Sequence, residues 1–390
     1  GVIDRFGQVA PRVLFCADGY YYNGKACDSL QRLEGILQAI DSIEQLVVVP
    51  LLNARPTLPQ GAPAALFGDF LEDTAAAIEF ARLPFDHPVY VMYSSGTTGA
   101  PKCIVHGAGG SLLQHLKEHR LMCDIGPGDV FFYYTTCGWM MWNWLVSGLA
   151  SGATLILYDG SPFAGEGRLL LDAIDAEGIS VFGTSAKFIA ALEKAGIRPA
   201  QTHRLDTLKT ILSTGSPLLH ENFEYVYRDF KQDICLSSIS GGTDILSCFV
   251  GGSPTLPVYA GEIQAPGLGM AVEIRDADGN SVQAQKGELV CAAPFPSCPL
   301  GFWNDVDGER FRAAYFQCGT EPRGRAHWHR RDLPAGGAVR FGAGERGHRS
   351  AVAGRCAGCA VCRFAPGADP GRSPGGGDPP TYPQQHDPTA

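Results

Sequence analysis

Short apolar runs alternate with segments of helical periodicity over the first half of the chain. The apolar runs are typical of strands that are buried on both faces, and the segments between them repeat apolar residues every three to four positions. Strands that alternate with helices in this way predict an α/β fold of mostly parallel sheets flanked by helices. The predicted strands are residues 13–15, 46–49, 89–92, 130–134, 154–158, 179–182 and 210–213, and the predicted helices are residues 30–43, 112–121, 139–149, 169–176 and 186–195.

Three other segments depart from this alternation. The dipeptide Asn23-Gly24 lies within an aromatic run at 20–25 and predicts a β-hairpin. Residues 249–290 contain Gly, Pro and short alternating runs, which predict a smaller β-rich subdomain. Residues 317–390 contain no Ile, Lys, Met or Asn and a single Leu, Leu333. Because so few apolar side chains cannot offset the entropy of ordering the chain, we expect a disordered C-terminal tail.

Composition and charge narrow the classes of partner. The formal net charge of −9 argues against a nucleic-acid or anionic-membrane partner. No apolar run approaches the roughly eighteen residues of a membrane-spanning helix, and the given sequence shows no basic-then-apolar signal-peptide pattern. The 13 cysteines form no small-domain disulfide framework and fit a reducing compartment. We therefore expect a cytoplasmic protein whose partners are small molecules.

A polar loop follows the apolar run at 89–92. Its sequence is Tyr93-Ser94-Ser95-Gly96-Thr97-Thr98-Gly99-Ala100-Pro101-Lys102. The two glycines allow backbone N–H groups to turn inward, the Ser and Thr hydroxyls add donors, and the lysine adds positive charge, all of which suit a polyphosphate. The spacing differs from the G-x-x-x-x-G-K-[ST] of a Walker loop, which argues against a standard P-loop NTPase. We predict a phosphate-binding loop between a buried strand and a helix.

The loop resembles, residue type by residue type, the phosphate-loop signature of the adenylate-forming enzymes, which include acyl-CoA synthetases, luciferases and peptide-synthetase adenylation domains. Within this superfamily, residues 1–316 resemble the CoA ligases that activate acetoacetate. The most characteristic stretch is F-F-Y-Y-T-T-C-G-W-M-M-W-N at 131–143. The run S-S-I-S-G-G-T-D-I at 237–245 stands where the superfamily has an aromatic-Gly-x-Thr-Glu motif, and Asp244 in place of the glutamate is like the acetoacetate-activating enzymes.

This resemblance implies an ATP-dependent, AMP-forming ligase that works in two steps. Acetoacetate attacks the α-phosphorus of ATP to give an acyl-adenylate and pyrophosphate, and the CoA thiolate then attacks the acyl carbon. The implied catalytic residues are Thr243 at the α-phosphate, Asp244 at a Mg²⁺ ion and Lys102 at the phosphates. The implied nucleotide-binding residues are Ser94, Ser95, Gly96, Thr97, Thr98, Gly99 and Lys102 at the β- and γ-phosphates, Gly241, Gly242 and Thr243 near the α-phosphate, and Gly215, Ser216 and Pro217 beside the adenine.

Several interpretations stay open at this stage. An aromatic cluster fits either core packing on one helical face or the wall of an acyl pocket; its members are Trp139, Met140, Met141, Trp142 and Trp144. A wall formed by Trp139, Met140 and Trp142 would shorten the pocket to suit a four-carbon acid. His106 is interpreted as structural rather than catalytic. The substrate could instead be acetate or propionate, and the chain could be a non-catalytic nucleotide-binding remnant.

The tail contains Cys356, Cys359 and Cys362 in C-x-x-C-x-x-C spacing, with His327 and His329 upstream. This spacing is similar to that of iron–sulfur or zinc sites. The tail lacks hydrophobic periodicity and a second ligand pair at regular spacing, so we expect no metal site there.

The genetic code offers a better explanation of the tail. We back-translated residues 320–334, took CGN as the arginine codon, and read the result one base later. The shifted reading permits the sequence L-N-P-G-G-V-R-I-G-T-A-E-I-Y-R. This sequence resembles the hinge before the small C-terminal domain of acetoacetate-activating ligases. We therefore hypothesise a deletion and a frameshift, with residues 1–316 as a partial adenylation domain that lacks its start and residues 317–390 in place of the C-terminal domain. Because that domain supplies a lysine and builds the CoA tunnel in the superfamily, we expect impaired ligase activity. The nucleotide sequence around the codons for 316–320 tests this hypothesis.

Overall fold

The computed structural model describes residues 1–22, 24–72, 77–94, 101–276 and 278–316. Its strands are β1 (Val13–Ala17), β2 (Gly19–Tyr22), β3 (Lys25–Asp28), β4 (Gln45–Val49), β5 (Ala64–Leu66), β6 (Pro88–Ser94), β7 (Lys102–Gly107), β8 (Val130–Tyr133), β9 (Thr154–Ile156), β10 (Val181–Ser185), β11 (Thr210–Thr214), β12 (Cys235–Ser238), β13 (Ser240–Gly242), β14 (Ser247–Gly251), β15 (Ala265–Pro266), β16 (Val272–Arg275), β17 (Glu288–Cys291) and β18 (Gly301–Phe302). Its helices are α1 (Val2–Phe6), α2 (Leu33–Ala39), α3 (Phe67–Phe70), α4 (Ala108–Lys117), α5 (Met141–Val146), α6 (Arg168–Glu177), α7 (Ala186–Lys194), α8 (Pro199–Thr202), α9 (His220–Tyr225) and α10 (Glu309–Tyr315).

The central feature is a five-stranded parallel sheet with the strand order β12-β11-β10-β8-β9. Side chains alternate between its two faces, as the pleat requires. Phe132 and Phe182 belong to a core that also contains residues of α6, α7 and α9. Phe131 and Leu212 belong to a second core that includes residues of α5. Helices therefore cover both faces, and the predicted α/β class is confirmed.

A smaller sheet lies at the amino-terminal end and has the parallel order β1-β4-β5. Helix α2 packs Leu33 and Leu37 against Leu46 and Val48 of β4 in a separate core. The predicted hairpin is formed by β2 and β3, which pair antiparallel. Gly24 in its turn has a φ of +73°, a conformation that glycine adopts without the steric cost of a Cβ.

The prediction of a strand-to-helix loop at 93–102 was wrong. The loop connects β6 to β7, and these two strands pair antiparallel in the sheet of order β18-β7-β6. The apolar run Cys103-Ile104-Val105 after the loop is buried in this sheet, and helix α4 begins only at Ala108. The strand before the loop is also less covered than expected, since Val89 is exposed and the residues after it are half-buried.

The remaining strands form short antiparallel sheets. Their orders are β13-β14-β15 and β16-β17, which include the region predicted to be β-rich at 249–290. A third core joins them to α10 and contains Phe249, Phe295 and Phe311. None of the helices in the described ranges has the length and apolar character needed to cross a lipid bilayer.

Two helices differ from prediction in ways that affect the cavity described below. The aromatic helix predicted at 139–149 begins at Met141, so Trp139 and Met140 lie in the turn before α5. Helix α4 continues into a wider π-helical turn, Glu118–Met122, in which the Cys123 N–H donates to the carbonyl oxygen of Glu118 at 2.9 Å. Such turns are rare and occur frequently at functional sites.

Candidate active site

A cavity of about 380 Å³ lies at the carboxyl ends of β8, β11 and β12. Three segments at or shortly after the ends of these strands line it: residues 138–141, 214–218 and 238–244. In parallel α/β sheets, ligands bind at this edge, because the loops that leave neighbouring strands converge there. The cavity thus brings together three motifs that are spread over about a hundred residues of sequence.

Gly215 forms part of this wall and is held in a conformation that suits only glycine. Its φ is +85°, and a Cβ at this position would lie 3.8 Å from the Trp139 ring. The preceding residue, Thr214, donates from its hydroxyl to the Ile239 carbonyl oxygen at 2.9 Å. This bond ties the loop after β11 to the loop after β12, so the predicted adenine element and the predicted Thr-Asp motif are held side by side.

The Thr-Asp motif lies in a tight turn between β13 and β14. Gly241 approaches β14 so closely that a Cβ there would lie 2.1 Å from the Ser247 carbonyl oxygen. A side chain at Gly241 would therefore separate the two strands. Beyond Gly242, the chain turns at 243–246, which presents Thr243 and Asp244 to the cavity.

Strand β7 supports this turn from the neighbouring sheet. The Nζ atom of Lys102 lies 3.9 Å from Oδ1 of Asp244. Four residues along the same strand, Nε2 of His106 lies 3.2 Å from the Thr243 carbonyl oxygen. Because side chains two and four residues apart point to one face of a strand, a single face of β7 contacts both residues of the motif.

His106 is a neutral structural donor in this arrangement. Burial lowers the pKa of His106 to about 4, so the ring is uncharged near neutral pH. A carbonyl oxygen can only accept, so Nε2 carries the proton and donates it to Thr243. The residue is fully buried and is not among those that line the cavity, in agreement with the structural interpretation.

Tyr315, at the end of α10, contacts the same carboxylate. Its hydroxyl donates to Oδ1 of Asp244 at 2.6 Å. Lys102 lies over two rings, with Nζ 5.3 Å from the centre of Tyr315 and 5.8 Å from the centre of Phe302. These cation–π contacts hold the ammonium group beside Asp244. Nothing in the sequence around Tyr315 indicates this contact, because Asp244 lies 71 positions away in the chain.

The aromatic cluster is divided between cavity and core. Trp139, Met140, Met141 and Trp144 line the cavity. Trp142 is not among the lining residues and packs at the edge of the core beneath α5. Of the three predicted pocket residues, two therefore face the cavity and one does not.

A buried carboxylate, Glu118, also lines the cavity and was not selected from the sequence. It is 1% exposed and begins the π-helical turn after α4. The Trp144 Nε1–H donates to its Oε2 at 2.8 Å. Three donors surround its Oε1: Gln114 Nε2 at 2.9 Å, Lys117 Nζ at 3.4 Å and the hydroxyl of Ser247. Nothing in the sequence marked it, because the helix residues that are buried with Glu118 are polar, among them Ser111, Gln114 and His115, whereas Leu112, Leu113 and Leu121 are exposed.

The phosphate loop is described only at its two ends. Ser94 lines the cavity, and Lys102 faces Asp244 as stated above. Five predicted phosphate-binding residues lie outside the described residues: Ser95, Gly96, Thr97, Thr98 and Gly99. The cysteines and histidines considered as metal ligands in the tail also lie outside them. Within the described residues, no group of three or more His, Cys, Asp or Glu side chains could hold a metal ion.

Comparison with known proteins adds independent findings. The profile of a family described as AMP-binding enzyme matches residues 4–297. The chain is 54% identical over 321 residues to the acetoacetyl-coenzyme A synthetase of Rhizobium meliloti (strain 1021), which covers 81% of this chain and 49% of that protein. It is 50% identical over 322 residues to the acetoacetyl-CoA synthetase of Gallus gallus, which covers 81% of this chain and 48% of that protein.

A solved structure is similar over the same share of the chain. The acetoacetyl-CoA synthetase from Streptomyces lividans superposes with a TM-score of 0.76 at 44% sequence identity, over 81% of this chain and 49% of that one. The chain thus spans about half the length of the curated relatives it matches.

Proposed function

This chain belongs to the AMP-binding enzyme family, and on that premise we propose that it is the nucleotide- and acyl-binding part of an ATP-dependent acetoacetate–CoA ligase. The observation that supports this most directly is the single cavity that unites Gly215-Ser216-Pro217, Thr243-Asp244 and Trp139-Met140. These are an adenine element, a phosphate element and an acyl-pocket wall. The names of the relatives support acetoacetate as the acid.

The proposed reaction begins with formation of an acyl-adenylate. A carboxylate oxygen of acetoacetate bonds to the α-phosphorus of ATP, and the bond from that phosphorus to the departing pyrophosphate breaks. In our proposal, the Thr243 hydroxyl donates to an α-phosphate oxygen and Lys102 neutralises charge on the pyrophosphate as it leaves. Such a step depends on positioning and charge neutralisation more than on covalent catalysis. The CoA thiolate then attacks the acyl carbon and AMP departs.

The residues present fit a Mg²⁺ ion bound together with the nucleotide. Asp244 supplies a hard oxygen ligand at the cavity wall, and the Tyr315 hydroxyl holds one of its two oxygens. Mg²⁺ in nucleotide sites is commonly held by one or two carboxylates, with phosphate oxygens and water as its other ligands. Asp244 would thus hold the ion against the phosphates, and the ion would neutralise part of their charge.

Gly215-Ser216-Pro217 is the proposed adenine contact. The positive φ of Gly215 turns the backbone toward Trp139, and Pro217 stiffens the segment that follows. Peptide groups in such a turn present N–H and C=O groups to the edge of a base. The phosphate assignments of Ser94, Gly241 and Gly242, and those of the loop residues Ser95, Gly96, Thr97, Thr98 and Gly99, belong to the same proposal, as does CoA as the second substrate.

A cytoplasmic location is part of this proposal. All the cysteines in the described part of the chain are free thiols, which supports a reducing compartment. The acidic net charge of −9 supports small-molecule partners rather than nucleic acid.

The proposal is tested first by nucleotide binding and then by exchange. We expect Mg²⁺·ATP to bind the purified chain, and Thr243→Ala to weaken binding by about tenfold, the loss of one phosphate hydrogen bond. Thr207→Ala is the matched control, because the Thr207 hydroxyl donates to the Ile179 carbonyl oxygen outside the cavity. Acetoacetate, acetate and propionate are then compared in ATP–pyrophosphate exchange. Absence of nucleotide binding, or exchange that favours acetate or propionate, would contradict the proposal.

A further inference from the structure

The buried part of the cavity wall contains a polar group that the proposed adenylation step does not use. Glu118 and Ser247 both line the cavity and are 1% and 5% exposed. Ser247 lies opposite Gly242 in the β13–β14 hairpin, so their Cα atoms are about 5 Å apart. Ser247 is therefore within the length of a short acid from Thr243, where we place the reacting carboxylate.

The hydrogen bonds around Ser247 hold its oxygen and leave its proton adjustable. The Gln114 Nε2–H donates to the Ser247 oxygen at 2.9 Å and also to Oε1 of Glu118 at 2.9 Å. The Ser247 hydroxyl in turn donates to Glu118. A hydroxyl hydrogen rotates about the C–O bond, so it can be donated to a ligand while the oxygen stays where Gln114 holds it.

Glu118 can lose the hydrogen bond from Ser247 because other donors to its carboxylate remain. Trp144 Nε1 and Gln114 Nε2 stay within 2.9 Å of its carboxylate, and Lys117 Nζ lies 3.4 Å away. A buried carboxylate that keeps three donors still has most of its desolvation cost offset. The nearby lining side chains are apolar or thiols: Met122, Cys123, Met140 and Cys248. Ser247 is the hydroxyl donor beside these four side chains, and Ser238 at the end of β12 is another buried serine that lines the cavity.

We propose that the Ser247 hydroxyl recognises the 3-oxo group of the acyl substrate, and that Glu118 and Gln114 are the residues that position it. This inference rests on the proposed function and names its substrate class, the short 3-oxo acids. A ketone oxygen accepts a hydrogen bond, whereas the corresponding methylene of a saturated acid cannot. With a saturated acid the Ser247 hydroxyl stays on Glu118 and gives that acid no hydrogen bond, so the site favours the acid whose ketone oxygen accepts one.

The test compares acetoacetate with butyrate, which has the same chain length without the oxo group. Each acid is titrated by ligand-observed NMR into the full chain saturated with Mg²⁺ and α,β-methylene ATP, which cannot react. We expect the unmodified protein to bind acetoacetate about tenfold more tightly than butyrate, as one neutral hydrogen bond in a buried site allows. Ser247→Ala should weaken the binding of acetoacetate by that factor and leave the binding of butyrate unchanged.

Ser111→Ala is the matched control, since Ser111 is buried, donates to the Gly107 carbonyl oxygen at 2.7 Å and does not line the cavity. It should keep the preference for acetoacetate. Thermal unfolding shows whether each variant is folded. A folded Ser247→Ala protein that keeps the preference, or that binds both acids equally more weakly, would overturn the inference. Failure of the unmodified chain to bind the nucleotide analogue or either acid would overturn the proposed function, and this inference with it.

Discussion

Asp244 and Glu118, two of the three carboxylates that line the cavity, differ in burial and in the donors that surround them. Asp244 is half-buried, with its side chain 18% exposed, and receives a hydrogen bond from Tyr315 and a distant ion-pair contact from Lys102. Glu118 is almost completely buried, with four donors around its two oxygens. The first lies on a tight turn between two short strands, and the second on a π-helical turn after a helix.

These environments indicate that Asp244 is suited to bind a ligand, whereas Glu118 is suited to stabilise the fold. A buried carboxylate is tolerated only when the protein itself supplies donors, and Glu118 meets that condition without any ligand. Asp244 is nearer to solvent and less surrounded by protein donors, as expected of a group that shares its charge with a bound cation. The buried part of the cavity is thus preorganised, whereas we expect the half-buried part to be completed by nucleotide and metal.

If the buried part of the cavity is preorganised around Glu118, removal of this side chain should destabilise the fold. Glu118→Ala removes the acceptor of the buried Trp144 N–H and of the Lys117 ammonium group, and one of the acceptors of the Gln114 amide. We expect the free energy of unfolding to fall by about 3–5 kcal/mol, the usual cost of removing one partner from a buried charged network. Urea unfolding followed by circular dichroism measures it.

Two controls make this prediction specific. Glu224→Ala removes a carboxylate whose side chain is 60% exposed, and Asp244→Asn removes the charge of the half-buried cavity carboxylate. Both should change the free energy of unfolding by less than about 1 kcal/mol. A loss of similar size in Glu118→Ala and Asp244→Asn would remove the distinction between the two groups.

The buried histidines beside Glu118 make the free energy of unfolding depend on pH. Burial lowers the pKa of His119, which packs against the Trp144 ring at 4.3 Å, to about 3. Between pH 6.5 and about 3, the unfolded chain therefore takes up a proton that the folded chain does not. Stability is full above pH 6.5 and falls as the pH drops, by up to about 1.4 kcal/mol per pH unit for this residue.

His119→Gln should flatten this profile. We expect the urea-derived free energy of unfolding to decline less steeply from pH 6.5 to pH 4.5 than in the unmodified protein. The remaining slope should come from His106, whose pKa burial lowers to about 4, and from His115, whose pKa is also lowered by burial. Parallel pH profiles for the two proteins would show that His119 does not titrate differently in the folded state.

Much of the fold could be predicted from the chain because its signals are local. Strands β8 to β11 overlap strands predicted from apolar runs, and α6 and α7 repeat apolar residues at helical spacing. Strand β12, with the sequence Cys-Leu-Ser-Ser, has no such run and was not predicted. The family followed from the phosphate loop for the same reason, since its glycines, hydroxyls and lysine are adjacent in sequence. The strand-to-helix prediction failed because β7 is defined by its pairing with β6, which local hydrophobicity does not specify.

The contacts that complete the candidate site could not be predicted from the sequence, because they join residues that are distant in the chain. Tyr315 and Asp244 are 71 positions apart, and Ser247 and Glu118 are 129 positions apart. Local patterns place Glu118 on a predicted helix and assign no role to Tyr315, and they do not indicate which distant side chain either residue meets. The roles of the site residues, and the division of the chain at residue 316, stay predictions.

At the half-buried carboxylate, Asp244→Asn should abolish the effect of Mg²⁺ on nucleotide binding. The amide keeps an oxygen for the Tyr315 hydroxyl but removes the charge that would hold the cation. We expect Mg²⁺ to tighten ATP binding in the unmodified chain and this gain to fall by about 10–100-fold in the variant, or about 1.4–2.7 kcal/mol. Titration of a fluorescent ATP analogue with and without Mg²⁺ measures it. Asp159→Asn, an exposed carboxylate outside the cavity, is the control, and an unchanged Mg²⁺ gain in Asp244→Asn would rule out the metal assignment.

Tyr315→Phe tests whether the aromatic helix α10 positions that carboxylate. The substitution removes only the hydroxyl that donates to Asp244 and keeps the ring beside Lys102. Loss of one hydrogen bond to a charged group should raise the Mg²⁺ concentration for half-maximal nucleotide binding by about fivefold, near 1 kcal/mol, while affinity without Mg²⁺ stays the same. Tyr259→Phe is the control, because Tyr259 is 58% exposed. A purely structural tyrosine would lower the melting temperature and leave the Mg²⁺ dependence intact, so that result would separate α10 from the site and leave Asp244 positioned by its turn alone.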